Sequence, residues 1–422
     1  LRIKWNIYLA MQLENKNGTV KKKEYDRIVN LEVEEIELAY SQFNSWKEIA
    51  KKNNFFHWEL EFPDIFMKTQ KGFDCIIGNP PYGAKIDQSI KKYFLNTFNS
   101  SKKLKDDLGE TKGSLDSFSL FMDKSLIFLK KESKFGYIVP LALTASDSMS
   151  SLHKLLKDKF YKLKISTYSN RPKKIFPNAD QRVCIVLGEA NGEKIKNLYT
   201  TKVNKRYKNI SIEKLIENLD YIDSLTFLRY GRIPKIGKEI EVEILKKLLK
   251  YTKNINDIFN ENGKKVYYRA AGGRYYNVVT TYPTYSSAEK DIMVSEAYQK
   301  LLGAILSSNL FYWFQQVYSD TLNLKRYEIE ILPLPIIDNN ESLEEKIKEI
   351  NELYDFYLED IEKNAVEKNA NYNNISKFKE YKIRKSKNLI DELDKKIGKL
   401  YLLNDEEIDF LINYDIEFRI DE

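Results

Sequence analysis

Apolar residues in the first 195 positions alternate between short continuous runs and stripes with helical spacing. The run Phe73-Asp74-Cys75-Ile76-Ile77-Gly78 predicts an inner strand of a parallel sheet, and the prolines and glycine after it predict a loop at its C-terminal end. A stripe that begins at Phe118 predicts a helix over 117–130. Strands alternating with helices are typical of an open α/β sheet. The other elements predicted here are strands at 135–139, 162–168 and 182–188 and a helix at 148–159.

The pattern changes along the rest of the chain. Residues 1–66 are charged and mostly helical in spacing, and the Lys- and Ser-rich stretch 84–115 predicts a mobile loop. After Pro335 the chain becomes helical and highly charged, with a polar interruption near 364–376. We therefore predict three regions, which are an α/β region at 1–195, an α+β region at 196–336 and a helical, acidic region at 337–422.

Composition narrows the class of protein. Of the 422 residues, 42% are hydrophobic, which is enough to build sizeable cores. No apolar run approaches the ~20 residues of a membrane-spanning helix, so an integral membrane protein is excluded. The two cysteines, Cys75 and Cys184, lie far apart, and the two histidines, His57 and His153, have no partner at metal-ligand spacing. We expect no disulfide framework, no metal site and a cytoplasmic location.

Charge is distributed unevenly. The formal net charge is +7, but residues 337–422 hold 14 basic and 23 acidic side chains, so the first 336 residues carry a net +16. A basic front part favours a polyanionic partner. A Lys-rich solvated surface would give the same numbers, and composition alone does not separate the two interpretations.

Asn79-Pro80-Pro81-Tyr82 is the strongest chemical signal. The side-chain oxygen of Asn79 and the carbonyl oxygen of Pro80 can each accept a hydrogen bond from an amino group, and consecutive prolines hold that carbonyl in a fixed direction. The ring of Tyr82 offers a stacking face for a planar group, and we expect it to face an open cavity beside Asn79. Such a site grips an exocyclic NH2 in the plane of a base without a general base or a metal.

The string from Phe73 to Gly83 resembles motif IV of amino-group DNA methyltransferases that use S-adenosylmethionine. It is most similar to adenine-N6 enzymes of the gamma arrangement and to the type IIG restriction-modification proteins that contain them. The segments Asp116–Phe121 and Gly136–Pro140 resemble the next helix and strand of that family. The resemblance implies a partial methyltransferase sheet, followed by an α+β target-recognition domain and a helical tail, acting on double-stranded DNA.

The resemblance also implies roles for single residues. Asp74 and Phe121 would contact the cofactor, and Phe176, in the segment before the strand at 182–188, would face Tyr82 across an extruded base. In the C-terminal half, four basic residues are the candidates for DNA contact, beside Tyr275 and Tyr276: Arg269, Arg274, Lys325 and Arg326. Core packing for the aromatic residues and surface charge for the basic ones are the plain alternatives.

One element of the family is missing from the sequence. A cofactor-binding glycine loop would stand upstream of motif IV, and nothing in 1–72 resembles it. Because the chain also begins at Leu1, we expect an N-terminally truncated monomer that binds S-adenosylmethionine poorly and needs an upstream segment for activity. A methyltransferase of another planar amino or amide group, in RNA or in a protein glutamine, and a non-catalytic DNA-binding remnant remain the alternative functions.

Overall fold

The computed structural model describes residues 2–14, 22–67, 71–84, 86–177, 180–207, 209–271, 278–335, 341–372 and 375–420. These residues form two compact units, of which the first contains 1–166 and 181–199 and the second contains 167–180 and 200–422. The predicted boundaries at 195 and 336 stay predictions.

Among the described residues, the first unit begins with six helices, and 1–66 are thus mostly helical, as their spacing predicts. These helices are α1 (Arg2–Glu14), α2 (Lys22–Asn30), α3 (Val33–Ala39), α4 (Phe43–Asn53), α5 (Trp58–Glu61) and α6 (Pro63–Phe66). Helices α1 to α4 share a small core around Ile7, Ile36 and Phe43, which are almost fully buried. This core is separate in sequence from the sheet that follows.

The sheet of the first unit is mixed. Its strands and the elements between them are β1 (Phe73–Gly78), α7 (Gln88–Thr97), β2 (Lys105–Asp106), β3 (Gly109–Glu110), α8 (Ser117–Phe128), β4 (Leu129–Pro140), α9 (Ala142–Ala145), α10 (Ser150–Lys159), β5 (Lys162–Tyr168), β6 (Val183–Asn191) and β7 (Asn197–Asn204). The strand order begins β1-β4-β6-β5-β7, with β1 parallel to β4 and β4 antiparallel to β6. Alternate residues Phe135, Tyr137 and Val139 of β4 are buried, as the two-residue period of a strand requires.

Two predictions for this region were wrong. Strand β1 is not an inner strand, because it stands at the edge of the sheet and pairs only with β4 among the described residues. Its apolar run is consequently open on one side, and the Ile77 side chain is 82% exposed. The stretch 84–115 is not simply a loop, since it contains α7 and the β2–β3 pair; the helix packs against α1, so tertiary contact outweighs its polar composition.

The second unit contains most of the remaining elements: α11 (Ile212–Glu217), β8 (Ile222–Asp223), α12 (Glu239–Leu248), β9 (Phe259–Arg269), β10 (Val279–Thr280), β11 (Glu289–Val294), α13 (Gln299–Ser307), α14 (Asn309–Tyr318), α15 (Arg326–Glu330), α16 (Glu341–Lys363), β12 (Val366–Tyr372), β13 (Ile375–Glu380), α17 (Lys387–Leu400), α18 (Asp405–Asn413) and α19 (Ile416–Ile420). Strand β9 pairs antiparallel with β10 and β11, and the polar interruption near 364–376 falls on the antiparallel pair β12 and β13. One core, with Trp313, Tyr354 and Tyr401 at its centre, joins residues on both sides of position 336.

Within the described ranges, no helix combines the length and the apolar character needed to cross a membrane. The same ranges bring together no group of three or more His, Cys, Asp or Glu side chains that could hold a metal ion.

Candidate active site

The Asn-Pro-Pro-Tyr segment leaves the sheet where β1 ends. Because β1 and β4 are parallel, with Gly78 opposite Tyr137, the C-terminal ends of both strands lie at the same edge. Ligands of open α/β sheets bind at this edge, outside the carboxyl ends of parallel strands. The segment therefore occupies the position in which the fold would hold a substrate.

The four residues differ in exposure. Asn79 and Pro81 are exposed, Pro80 is buried and Tyr82 is half-buried. No described residue donates a hydrogen bond to the Pro80 carbonyl. The Pro80 carbonyl therefore has no donor among the described residues, whereas the Asn79 side chain is exposed but has a protein partner.

Tyr82 points its hydroxyl group into the protein. The hydroxyl oxygen lies 2.9 Å from Oδ1 of Asn79 and 2.9 Å from the carbonyl oxygen of Ile138, near the end of β4. Burial raises the pKa of Tyr82 to about 12, so the hydroxyl keeps its proton at neutral pH. The hydroxyl end of the side chain is therefore anchored near the end of β4, and the open cavity expected beside Asn79 stays a prediction.

Ser117 holds the turn that follows the prolines. Its hydroxyl donates to the carbonyl oxygen of Pro81 at 2.7 Å and accepts from the backbone N–H of Ala84 at 3.2 Å. Between them, Gly83 has a φ of 60°, a left-handed conformation that glycine adopts without strain. Ser117 is the first residue of α8, so the start of this helix fixes the geometry of the loop.

The same face of α8 carries two further residues of interest at four-residue spacing. Phe121, one turn after Ser117, is 51% exposed, and Ser125, one turn later, shares a 2.7 Å hydrogen bond with the hydroxyl of Tyr137. Tyr137 in turn packs under Gly78, the residue before Asn79. Helix α8 therefore supports the motif from both ends and presents an exposed aromatic ring beside it.

Asp74 is engaged at the surface. Its Oδ1 accepts a 2.7 Å hydrogen bond from Nζ of Lys130, and this bond lowers the pKa of the Asp74 carboxyl. A cofactor contact by Asp74 would have to compete with Lys130. The role assigned to Asp74 from the sequence stays a prediction.

Phe176 belongs to the second unit, in an irregular segment where it is half-buried. Its stacking role across from Tyr82 stays a prediction.

The three described candidates for DNA contact have partners inside the second unit. Lys325 donates to Asp320 at 2.5 Å, and Arg326 donates to Glu330 at 2.9 Å while lying 5.0 Å from the ring centre of Phe259. Arg269 is exposed at the end of β9. Arg274, with Tyr275 and Tyr276, lies outside the described residues.

Sequence reasoning missed Ser117 and Ile138 as parts of this site. The sequence placed Ser117 only at the start of the helix predicted over 117–130 and in the segment Asp116–Phe121 that carries part of the family resemblance. A backbone carbonyl such as that of Ile138 leaves no signal in the residue type. The position of Ser117 just before an apolar stripe could have marked it as a helix start but not as a loop clamp.

Sequence comparisons find similar proteins among restriction-modification methylases. Residues 3–176 match the family of Eco57I restriction-modification methylases. A Methanocaldococcus jannaschii protein, provisionally named a type II restriction enzyme and methyltransferase, is 30% identical over 159 residues, which are 37% of this chain and 12% of that protein. The Escherichia coli type II restriction enzyme and methyltransferase Eco57I is 22% identical over 216 residues, 50% of this chain and 20% of its own. The matches thus span between about an eighth and a fifth of these relatives.

Among solved structures, the type IIL restriction-modification enzyme MmeI in complex with DNA aligns with a TM-score of 0.46 and 13% identity, over 82% of this chain and 57% of its own.

Proposed function

We propose that this chain carries the base-binding part of a site-specific DNA methyltransferase of a restriction-modification system, which methylates the N6 atom of adenine. The observation that carries the proposal is the exposed Asn79 beside a double-proline corner at the C-terminal edge of the parallel pair β1 and β4. The match of residues 3–176 to restriction-modification methylases supports it.

The residues of the corner would act on the amino group directly. Two acceptors in the base plane, Oδ1 of Asn79 and the Pro80 carbonyl, draw both N–H bonds of the exocyclic amine into that plane and turn its lone pair out of it. Adenine N6 is out of reach inside a duplex, so the base must be extruded, and the rings of Tyr82 and Phe176 are proposed to stack on it. Stacking of ~1–3 kcal/mol per base offsets part of the unstacking cost. The amine proton is lost to solvent after transfer.

S-Adenosylmethionine, when bound, supplies the electrophilic methyl group. Of the two residues proposed to contact S-adenosylmethionine, only one is available in this structure. The ring of Phe121 is exposed one helical turn after Ser117, and it suits contact with the cofactor's adenine. The Asp74 carboxylate, in contrast, is already paired with Lys130. We propose Phe121 as the stronger of the two cofactor contacts.

The open side of β1 supports the proposal that further polypeptide completes the cofactor site. Ile77 is 82% exposed, Leu187 of β6 is 46% exposed, and both pair with Gly136 in one row across the sheet. Parallel sheets are ordinarily covered on both faces, because their apolar side chains must be shielded from water. We propose that a segment outside these 422 residues, carrying the glycine loop, pairs with β1.

The test uses the complete reading frame that contains these residues, expressed in a host without adenine methylation. We expect N6-methyladenine at one sequence in host DNA, its loss in Asn79→Ala, and no methylation by the 422-residue chain alone. Methylation of protein or RNA in place of DNA would support the alternative substrate class. Salt-dependent DNA binding without any methyl transfer would support the non-catalytic remnant. Robust DNA methylation by the isolated chain would refute the need for a further segment.

DNA contact by the basic residues has a separate test. If Arg326 leaves Glu330 to bind a phosphate, Arg326→Ala should weaken DNA binding and reduce the dependence of log K on log salt by about 1. Lys246, which forms a comparable exposed pair with Glu243 on α12, provides the control variant Lys246→Ala. If both substitutions weaken DNA binding equally, Arg326 contributes only to the general positive charge and makes no specific phosphate contact.

A further inference from the structure

Two oxygen atoms compete for one proton at the centre of the motif. The Tyr82 hydroxyl has a single hydrogen, yet its oxygen lies 2.9 Å from Oδ1 of Asn79 and 2.9 Å from the carbonyl oxygen of Ile138. Whichever oxygen receives the hydrogen, the other is left facing the lone pairs of the hydroxyl. A carbonyl oxygen has no hydrogen to contribute, so one of these two contacts is repulsive as long as Oδ1 faces Tyr82.

Rotation of the Asn79 amide removes the conflict. Half a turn about the Cβ–Cγ bond exchanges Oδ1 and Nδ2 and leaves the separation from Tyr82 essentially unchanged. The Nδ2–H group then donates to the Tyr82 hydroxyl, and the hydroxyl donates to Ile138. Ile138 cannot rotate away, because its carbonyl is part of β4, so the asparagine is the partner that adapts.

We propose that the Tyr82 hydroxyl is a positioning group that orients the Asn79 amide, with Nδ2 turned inward and Oδ1 turned outward towards the amino group of the target. The Asn79 Nδ2–H group donates to the Tyr82 hydroxyl, which donates to the Ile138 carbonyl. These two hydrogen bonds thereby fix the acceptor atom of Asn79 relative to the sheet. The statement that the outward oxygen binds the target amino group rests on the proposed function, but the orientation of the amide does not.

This arrangement gives the tyrosine two separable roles. Its ring offers a stacking face, which phenylalanine would retain. Its hydroxyl fixes a hydrogen-bond acceptor, which phenylalanine would not. Without the hydroxyl, the exposed Asn79 amide is free to present Oδ1 or Nδ2 to the target, and a donor in that position repels an amino group. Tyr82→Phe should therefore affect the transfer step more than the binding of DNA.

The first experiment measures the amide itself. The chain is labelled with [15N]asparagine, the Asn79 side-chain signal is assigned with Asn79→Asp, and exchange of its two Nδ2 protons with water is followed by NMR. We expect one proton to exchange at least about tenfold more slowly than the other, and the two to become alike in Tyr82→Phe. Tyr161→Phe is the matched control, since that hydroxyl donates to Glu189 at 2.9 Å in the same unit. Equal exchange in the wild type, no change in Tyr82→Phe, or the same change in Tyr161→Phe would overturn the proposal.

The second experiment separates this inference from the proposed function. In the complete reading frame, Tyr82→Phe should lower kcat about tenfold, equivalent to ~1.4 kcal/mol, with KM for DNA nearly unchanged. Loss of activity in Asn79→Ala combined with full activity in Tyr82→Phe would leave the function standing and overturn the positioning role. Full activity in both variants would overturn the proposed function, and the exchange measurement would still decide the orientation of the amide.

Discussion

The close packing of Gly78 against Tyr137 predicts a large effect of one added methyl group. A Cβ at position 78 would lie 2.6 Å from Cε1 of the Tyr137 ring and 3.1 Å from Cζ. Carbon atoms in contact normally stand about 3.5–4.0 Å apart, so Gly78→Ala requires a displacement of about 1 Å. The ring cannot move easily, because Tyr137 is buried, lies 4.5 Å from the ring of Phe135 and holds Ser125 through its hydroxyl.

We expect Gly78→Ala to destabilise the first unit. Overpacking of a buried site costs about 1–3 kcal/mol, and replacing glycine recovers about 0.4–1 kcal/mol by restricting the unfolded chain. The net loss is therefore about 0–2.6 kcal/mol, centred near 1.3 kcal/mol. For a unit of this size each kcal/mol lowers Tm by about 2–4 °C. At the centre of that range, thermal unfolding followed by circular dichroism would measure a decrease of roughly 3–5 °C.

Gly136 provides the matched control in the neighbouring strand. A Cβ there would lie 3.4 Å from a terminal methyl of Leu187 and 3.9 Å from Cγ1 of Ile77, and both atoms belong to exposed side chains. Gly136→Ala should be neutral or slightly stabilising. A Gly78→Ala variant that melts at or above Gly136→Ala would refute the reasoning, as would a cycle with Tyr137→Leu in which the two substitutions add without coupling.

Three further outcomes follow from the first unit. Ser117→Ala should accelerate amide exchange in the turn after the prolines, because the turn loses both of its hydrogen bonds to that hydroxyl; hydrogen-exchange mass spectrometry measures this. Ellman's reagent should titrate one thiol in the folded chain, Cys75, and reach the fully buried Cys184 only after unfolding. Asp106→Asn should cost about 1–3 kcal/mol at pH 7 by breaking the 2.8 Å ion pair with Lys157, and much less near pH 3, as measured by denaturant unfolding.

The sign of the pH effect follows from the ion pair. Burial opposes ionisation of Asp106, but the hydrogen bond and charge of Lys157 outweigh it and hold the pKa of the carboxyl below its usual value. Because the pKa of Asp106 is lower in the folded state, its carboxylate stabilises the fold at pH values above the pKa of the unfolded chain, near 4. This stabilisation is lost as the pH falls through the pKa of the folded state. Lys112→Met, which breaks an exposed pair, should cost under about 1 kcal/mol. A loss that is independent of pH would contradict the assignment.

Controls for the other two predictions lie nearby. Ser119→Ala removes a buried hydroxyl from the same helix that bonds only to backbone upstream of it, so it should leave exchange in the turn unchanged. If Ser117→Ala and Ser119→Ala give the same amide exchange in the turn, the hydrogen bonds of the Ser117 hydroxyl do not stabilise that turn. A Cys75 that remains unreactive in the folded chain would contradict the open edge of β1.

Several elements were predictable because their signals are local. The helix at 117–128, the strands at 162–168 and 183–191 and the helix at 150–159 all begin within a few residues of their predicted positions. Each is specified by the spacing of its own apolar residues, which acts over one or two turns or pleats. Helix α7 was missed although Ile90, Tyr93 and Phe94 have helical spacing, because they stand inside a Lys- and Ser-rich stretch and their partner helix α1 lies far earlier in the chain.

The sequence by itself determined that a double-proline corner follows a strand, because the cyclic side chains of Pro80 and Pro81 restrict the backbone wherever they occur. It also determined the chemistry available there, an amide oxygen and an aromatic ring. Only the tertiary structure decided that β1 stands at an open edge, that Ser117 clamps the turn and that the Tyr82 hydroxyl reaches both Asn79 and Ile138. The strand pairing, the turn held by Ser117 and the contact with Ile138 join residues 33 to 59 positions apart. Such contacts are set by the packing of whole strands and helices, which no local pattern encodes.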